Sequence, residues 1–214
     1  YAKKYLCAMT NFIPIFPLNI VVYPGENLNL HIFEPQYKQL INECKETNKP
    51  FGIPVVIENK VQEFGTLLEI VEVSKEYESG EMDIKTKGIK VFRMLEQIKD
   101  IPEKLYSGAI VSYPENYSNG SSGLMKMVMN NLRQLHQLIK VEKNFNKEDK
   151  ELTAFEIAHH IGLSLEEEYE VLLLQDELQR QEYLKRHLLK AIPMAQGMEQ
   201  LKEKIKLNGH FKNL

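Results

Sequence analysis

The sequence predicts an α+β fold, with a β-rich front half that contains one helix and a helical back half. Short apolar runs separated by Pro and Gly fill Ile13–Tyr113, which is typical of strands and tight turns. From Leu124 onward the apolar residues recur every three to four positions, the period of an amphipathic helix. Between these regions, the Ser, Gly and Asn residues of Asn116–Gly123 predict a linker. We therefore expect a β-rich subdomain over residues 9–115, a linker over 116–123 and a helical subdomain over 124–214.

The composition is that of an ordinary globular protein. Of the 214 residues, 43% are hydrophobic and 27% are charged, which allows a substantial core. The net charge of −3 argues against a general nucleic-acid binder, because such proteins need a basic face. No apolar run reaches the roughly 18 residues of a membrane span, and the N-terminus lacks the apolar segment of a signal peptide. We therefore expect a cytoplasmic protein that binds neither nucleic acid nor membrane.

The two cysteines, Cys7 and Cys44, are too few and too far apart for a disulfide framework or a zinc-ligand pattern. Free thiols in a reducing cytoplasm are the expected state. Met9 stands directly before the first predicted strand, so we interpret Tyr1–Ala8 as a candidate upstream remnant.

The most informative segment is Ile13–Tyr37. Two apolar stretches, Ile13–Tyr23 and Leu28–Phe33, flank the dipeptide Pro24-Gly25, which favours a turn because proline presets φ and glycine accepts a positive φ. In the second stretch apolar and polar residues alternate, which is the period of a half-buried strand. Pro35 then suits the first position of a helix, where its missing N–H costs nothing.

Further strands are predicted where apolar runs are bounded by turn residues. They are Phe51–Ile57, Gly65–Val73, Met82–Lys87, Gly88–Met94 and Gly108–Tyr113. Pro54 argues against a central, fully paired place for the first of them. One helix, Pro35–Thr47, interrupts this sheet and carries its apolar residues along one face.

The back half predicts several helices. An amphipathic pattern runs from Leu124 to Ile139. Thr153 with Glu156 forms a capping-box pair, and Gly162 ends the helix that follows. Ser164 with Glu167 repeats that signature and predicts one helix through about residue 189. Pro193 is expected to break it, and a last short helix is predicted over Met198–Leu207.

The order of the front motifs carries a family resemblance. P-x-F-P-L, V-x-Y-P-G and L-x-L-x-I-F-E-P-x-Y, read in turn from Pro14 to Tyr37, closely resemble the start of the LON domain, the N-terminal substrate-binding domain of the ATP-dependent Lon protease. FGTLLEIVEV, GIKVFRM and the segment Ala158–Glu167 continue the resemblance to about Leu189. Gln36 and Val91 depart from it, since the family usually has arginine at the first position and often a basic residue at the second.

The resemblance implies a PUA-like β-barrel or sheet with one inserted helix, followed by a helical subdomain. It also singles out family-motif positions, which we interpret as mostly structural. They are Pro17, Pro24, Gly25, Phe33, Glu34, Pro35, Tyr37, Gly65 and Gly88. For Glu34 two roles stay open: complementing the positive end of the helix, or presenting a carboxylate to a partner.

Catalytic motifs are missing from the sequence. The phosphate-binding consensus G-x-x-x-x-G-K-[ST] does not occur, and no Ser-Lys protease segment is recognisable. His159 and His160 lack the spacing of metal ligands on a helix. We therefore expect no enzyme activity, no cofactor and no metal.

The resemblance implies a non-catalytic module that binds unfolded or apolar polypeptide segments, as a substrate receptor or adaptor in protein quality control. An open barrel edge, or the crevice between barrel and helical subdomain, is the expected binding place. Two alternatives stay open: a subunit that acts with a separate ATP-dependent protease or chaperone, and an RNA-binding module by analogy with PUA domains. The oligomeric state is left open.

Overall fold

The computed structural model describes residues 11–209, so the predictions for Cys7, Met9 and residues 1–8 lie outside the described residues. The chain forms two units, an antiparallel sheet with helices and a helical unit. The first comprises residues 11–115 and Leu165–Leu173, and the second comprises Asn116–Ser164 and residues 174–209. The predicted mixture of antiparallel sheet and helices is confirmed. The helical subdomain predicted over 124–214 differs from the second unit, because residues 165–173 belong with the sheet.

The sheet of the first unit has six strands in the order β1-β6-β5-β4-β3, with β2 beside β5. The strands are β1 (Asn11–Pro14), β2 (Asn27–Ile32), β3 (Phe51–Ile57), β4 (Lys60–Glu76), β5 (Met82–Ile98) and β6 (Gly108–Ser112). The chain leaving β1 bonds to β3 through parallel bridges at Ile15–Gly52 and Leu18–Val55. In the first of these, the Phe16 N–H donates to the Gly52 carbonyl at 2.7 Å.

β4 and β5 are the longest strands, at 17 residues each. The two strands predicted at Met82–Lys87 and Gly88–Met94 are in fact the continuous strand β5, so that prediction was wrong. The register shifts between Leu67 and Leu68, which leaves Ile89 as an extra residue in β5. This β-bulge resets the side-chain alternation without ending the strand.

A turn at Tyr23–Glu26 contacts Gly88, the residue at which the sequence predicted that a new strand begins. The Glu26 N–H donates to the Tyr23 carbonyl at 3.1 Å, and Gly25 has φ +88°, as a turn with proline second and glycine third requires. Gly25 and Gly88 are joined by an N–H to carbonyl bond of 2.8 Å, and the Gly88 N–H returns a bond to Glu26. A Cβ on Gly88 would collide with the Tyr23 carbonyl.

Helix α1 spans Pro35–Thr47, as predicted, with Pro35 in the first turn. It buries Leu40, Ile41 and Cys44 in the larger of two cores of the sheet unit. The apolar period of the sequence therefore identified the packed face. The helix ends at Asn48, which adopts the left-handed conformation with φ 50°.

Helix α2 spans Ser122–Ile139, and Ser121 caps it by accepting a bond from the Leu124 N–H at 3.3 Å. Its buried face includes Met125 and Met129, whereas Met127 is exposed. A short helix α3 (Ala154–Ile157) follows, and Glu156 accepts bonds from both Thr153 N–H and its hydroxyl, as the capping box predicted.

The helix predicted from Ser164 to about residue 189 is instead two helices, α4 (Leu165–Leu173) and α5 (Glu177–Gly209). Asp176 begins the second helix by accepting bonds from the Leu178 and Gln179 N–H groups. Arg180 donates to the Leu174 carbonyl at 2.6 Å, which satisfies an acceptor at the break. Apolar periodicity alone could not reveal this break, because both helices are amphipathic.

Pro193 does not break α5, and the predicted helix over Met198–Leu207 is part of it. Proline removes one N–H and leaves one carbonyl without a helical partner. The neighbouring Leu189 is exposed, so water can reach the helix surface there and the loss is tolerated.

The second unit contains a buried ion pair, Glu177 and Arg180, whose side chains are 6% and 3% exposed. Glu177 accepts from Arg180 at 2.9 Å and from the Ala154 N–H at 2.7 Å. Arg180 also donates to the Asn116 side chain at 2.8 Å. Because each polar atom has a partner, the pair is compatible with burial and fixes the start of α5.

The alternation in β2 leads to a first prediction. Ile32 is 1% exposed and Leu30 is half-buried against the same core. We expect Ile32→Ala to lower the free energy of unfolding by about 2–5 kcal/mol, and Leu30→Ala by about 1–2 kcal/mol because less surface is buried. The exposed Asn29→Ala is the control. Urea denaturation measures all three, and equal effects at the three positions would contradict the register.

A second prediction concerns Gly65. A Cβ there would lie 2.5 Å from the Pro54 Cα and would overlap the Ile53 carbonyl, and backbone atoms cannot move aside as a side-chain end can. We expect Gly65→Ala to destabilise the protein by about 3 kcal/mol or more. At Gly123, by contrast, the nearest atom is the Ser121 Oγ at 3.8 Å. Gly123→Ala should leave the urea midpoint unchanged or raise it, and equal losses in both variants would refute the steric argument.

Candidate functional site

A groove of about 550 Å³ lies in the sheet unit, between the C-terminal end of α1 and the second half of β4. It exists because β3 begins at Phe51, opposite Leu68, whereas β4 continues to Glu76. The residues that line it come from α1, the connection to β3, β4 and β5. They are Cys44, Lys45, Asn48, Lys49, Pro50, Glu69, Ile70, Val71, Glu72, Val73, Glu76 and Ile89.

One wall of the groove is an open strand edge. β4 pairs with β5 along one side up to Glu76, but its pairing with β3 stops at Leu68. Within residues 11–209, no strand pairs with the other side of residues 69–76. Backbone N–H and C=O groups on such an edge are available to an incoming strand.

Two β-bulges turn apolar side chains outward beside this edge. The register shifts between Ile70 and Glu72, so Val71 is an extra residue in β4, as Ile89 is in β5. Val71 is 61% exposed and Ile89 is 42% exposed, and both line the groove. Bulges often redirect side chains at functional sites.

The inner wall of the groove is also apolar. Ile70 and Val73 pack against the larger core, to which Cys44 belongs. Burial, followed by the nearby Glu43 carboxylate, raises the pKa of the Cys44 thiol to about 12. The thiol is therefore neutral near pH 7 and acts as an apolar wall atom, whereas a nucleophilic cysteine needs a lowered pKa.

The charges at the rim are largely paired. Lys45 and Glu76 lie 2.5 Å apart, and Lys85 donates to Glu72 at 2.9 Å. Among the described residues, Glu69 and Lys49 form no ion pair. The groove thus combines apolar walls, an open backbone edge and a rim that is nearly neutral.

The structure brings some of the predicted motif positions together, away from the groove. Pro24, Gly25 and Gly88 meet in the turn attached to β5. Pro17 lies between the two bridges to β3, and Gly65 allows close approach to the Ile53 backbone. These contacts hold segments of the backbone close together.

The remaining motif positions surround the start of α1. Tyr37 stacks on Phe16 with ring centroids 3.8 Å apart. Glu34 occupies the N-cap position without a capping bond to the backbone, and it accepts instead from the Gln36 side chain at 2.7 Å. Phe33 is 57% exposed. None of the motif positions lines the groove.

The sequence analysis missed Val71 and Ile89 as surface residues. Consecutive apolar residues in Gly65–Val73 predicted a strand but did not show which of its side chains is exposed, and the bulge exposes Val71. The available signal was the loss of strict alternation in that segment and after Gly88. A strand that is buried on both faces also lacks strict alternation, so this signal could not show that Val71 and Ile89 are exposed.

A smaller cavity of about 140 Å³ lies in the second unit, beside the end of α2. Two of its cations are paired, since Arg133 binds Asp149 through two bonds and Lys147 binds Glu156. A third, Lys143, lies over the Phe145 ring, 6.0 Å from its centroid. Among residues 11–209, no group of three potential ligands is arranged for a metal ion. In the same range no helix has the length and apolarity to cross a membrane.

Comparisons with known proteins agree with the motifs. The family model for the ATP-dependent protease La (LON) substrate-binding domain matches residues 13–190. A Lon N-terminal domain protein from Xanthomonas campestris has a similar structure, with a TM-score of 0.62 and 21% identity over 81% of this chain and 96% of that chain. The N-terminal domain of the Mycobacterium avium complex Lon protease matches with a TM-score of 0.59 and 12% identity, over 83% of this chain and 98% of that one. This chain belongs to the LON substrate-binding domain family.

Proposed function

We propose that this chain is a non-catalytic module that binds unfolded, apolar polypeptide segments, and that the groove beside β4 is its binding site. The observation that carries the proposal is a groove with apolar side chains on its walls, charged side chains on its rim and an open strand edge, in a member of a substrate-binding family. Grooves of this volume accommodate several side chains. Apolar segments become accessible when a protein unfolds, which gives the module its selectivity.

The proposed architecture is the PUA-like barrel of the family. The parallel bridges at Ile15–Gly52 and Leu18–Val55 support it, because they connect the two ends of the strand order. The proposed setting is the cytoplasm, where the module delivers bound segments to a separate ATP-dependent protease or chaperone. A polypeptide ligand is favoured over RNA because the groove includes three carboxylates and only two lysines.

Binding to the groove is tested with reduced, carboxymethylated α-lactalbumin as the unfolded ligand and native α-lactalbumin as the folded one. We expect the double variant Val71→Lys, Ile89→Lys to weaken binding of the unfolded ligand at least tenfold, because it replaces the two exposed apolar side chains of the groove with charged ones. Both side chains are exposed, so the fold should persist. Isothermal titration calorimetry measures the affinities.

Leu105→Lys provides the matched control, since Leu105 is also exposed but does not line the groove. It should bind like the unchanged protein. Equal affinity for folded and unfolded α-lactalbumin, or equal weakening by both sets of variants, would refute the proposal.

The neutral state of Cys44 gives a test of the non-catalytic assignment that depends on pH. The thiol of the unfolded chain ionises near its ordinary pKa of 9.0, whereas the folded one ionises at about 12. The folded state therefore holds a proton that the unfolded state releases, and the free energy of unfolding falls as pH rises above 9. The slope from one thiol is at most about 1.4 kcal/mol per pH unit.

Urea denaturation between pH 8 and 10 measures that slope. Tyr106 contributes in the same direction, because burial and its bond to Glu43 raise its pKa. Cys44→Ala should therefore reduce the slope without removing it. A slope unchanged by Cys44→Ala would mean that the pKa of the thiol is not raised in the fold, and a steeper fall in the variant would mean that the folded thiol is already ionised, as a nucleophile would be.

A further inference from the structure

We propose that the free edge of β4, residues 69–76, binds its polypeptide as an added β-strand, and that the bound segment must be apolar on both of its faces. The inference rests on the proposed function and specifies how the groove recognises its ligand. Binding through side-chain pockets alone would also satisfy the proposed function, so the two statements can fail separately.

The backbone of β4 supplies the first argument. Eight residues extend beyond the pairing with β3, which corresponds to about 26 Å of strand at roughly 3.3 Å per residue. β5 pairs with the other side of this segment, with register shifts that leave Val71 and Ser74 as extra residues of β4. An added strand would occupy the row that β3 leaves at Phe51 and would satisfy the unpaired backbone groups.

The walls of the groove supply the second argument. Successive side chains of an added strand point to opposite faces of the sheet. One face offers Ile70, Val73 and Cys44, which belong to the core side. The other face offers the bulged residues Val71 and Ile89, which are exposed. A ligand that alternates apolar and polar residues would fill only one of these faces.

The rim charges restrict the ligand further. Lys45 with Glu76, and Glu72 with Lys85, neutralise each other, so they need no counter-charge from the peptide. Glu69 and Lys49 both line the groove and form no ion pair among the described residues, so their opposite charges leave no net charge at the rim, which favours an uncharged segment. A continuous apolar run has this chemistry, and in a folded protein such a run is normally buried.

The test uses synthetic ten-residue peptides with eight alternating Leu and Val residues between terminal lysines. Two derivatives carry backbone N-methyl groups, one on every second residue and the other on every residue. The first keeps one edge of unmodified amides that can face β4, whereas the second keeps none, so we expect the second to lose at least tenfold in affinity and the first to stay within threefold of the parent. Fluorescence anisotropy measures binding.

Equal affinity of both derivatives would overturn strand addition, and so would equal loss in both. A fourth peptide replaces every Val with Ser and should bind at least tenfold more weakly than the parent. Equal binding of that peptide would overturn the requirement for two apolar faces. If no peptide binds while unfolded α-lactalbumin does, the inference fails and the proposed function stands; if neither binds, the proposed function fails.

Amide hydrogen exchange locates the contact independently of affinity. With the parent peptide bound, we expect those amides of residues 69–76 that point away from β5 to gain protection, while the amides of Phe51–Ile57 stay unchanged because that strand is already paired. The variant Val71→Lys, Ile89→Lys serves as a control that should show little protection at the same peptide concentration. A saturating peptide that protects no amide in β4 would overturn the proposal.

Discussion

The pairing of β4 with β5 is the constraint on which the sheet unit depends. These strands are the longest in the sheet, and each of their neighbours covers only part of them. β2 and β6 share one side of β5, whereas β3 covers only the first half of β4. The sheet therefore completes its core and leaves one stretch of backbone unpaired. The groove follows from this mismatch in strand length and needs no dedicated binding loop.

The turn at Tyr23–Glu26 fixes the register of that pairing. Because Gly88 exchanges bonds with the turn on one side and is paired with Leu68 on the other, β5 cannot slip at this position. The pairing of β5 with β4 shifts by one residue directly after Gly88, which leaves Ile89 as the bulged residue. The fixed position of the turn and the exposed side chain of Ile89 are thus two results of one local contact. The motif glycines have a physical role even though they lie outside the groove.

Much of the fold could be predicted from the sequence. The bounds of α1 and β3 followed from apolar runs ended by Pro, Gly or Asn, since local signals determine such ends. The continuity of β5 and the break between α4 and α5 could not be predicted, because they depend on contacts distant in sequence. Gly88 needs the turn at residue 25, and the break needs Arg180 bonded to Asn116. Local periodicity contains no information on either contact.

The candidate site was harder to predict than the fold for a related reason. Several residues of the recognisable motif lie at turns and close approaches, which admit few residue types and therefore form clear patterns. The groove is lined by ordinary apolar and charged residues whose importance comes from their position. Val71 is an unremarkable strand residue in the sequence, and only the bulge makes it a surface residue. An open edge recognises backbone, which every polypeptide has, so the residues beside it need only supply apolar contact on two faces. Many sequences can form a surface with these requirements. The residues of the groove are therefore hard to recognise in the sequence, whereas the motif positions at turns and close approaches are easy to recognise.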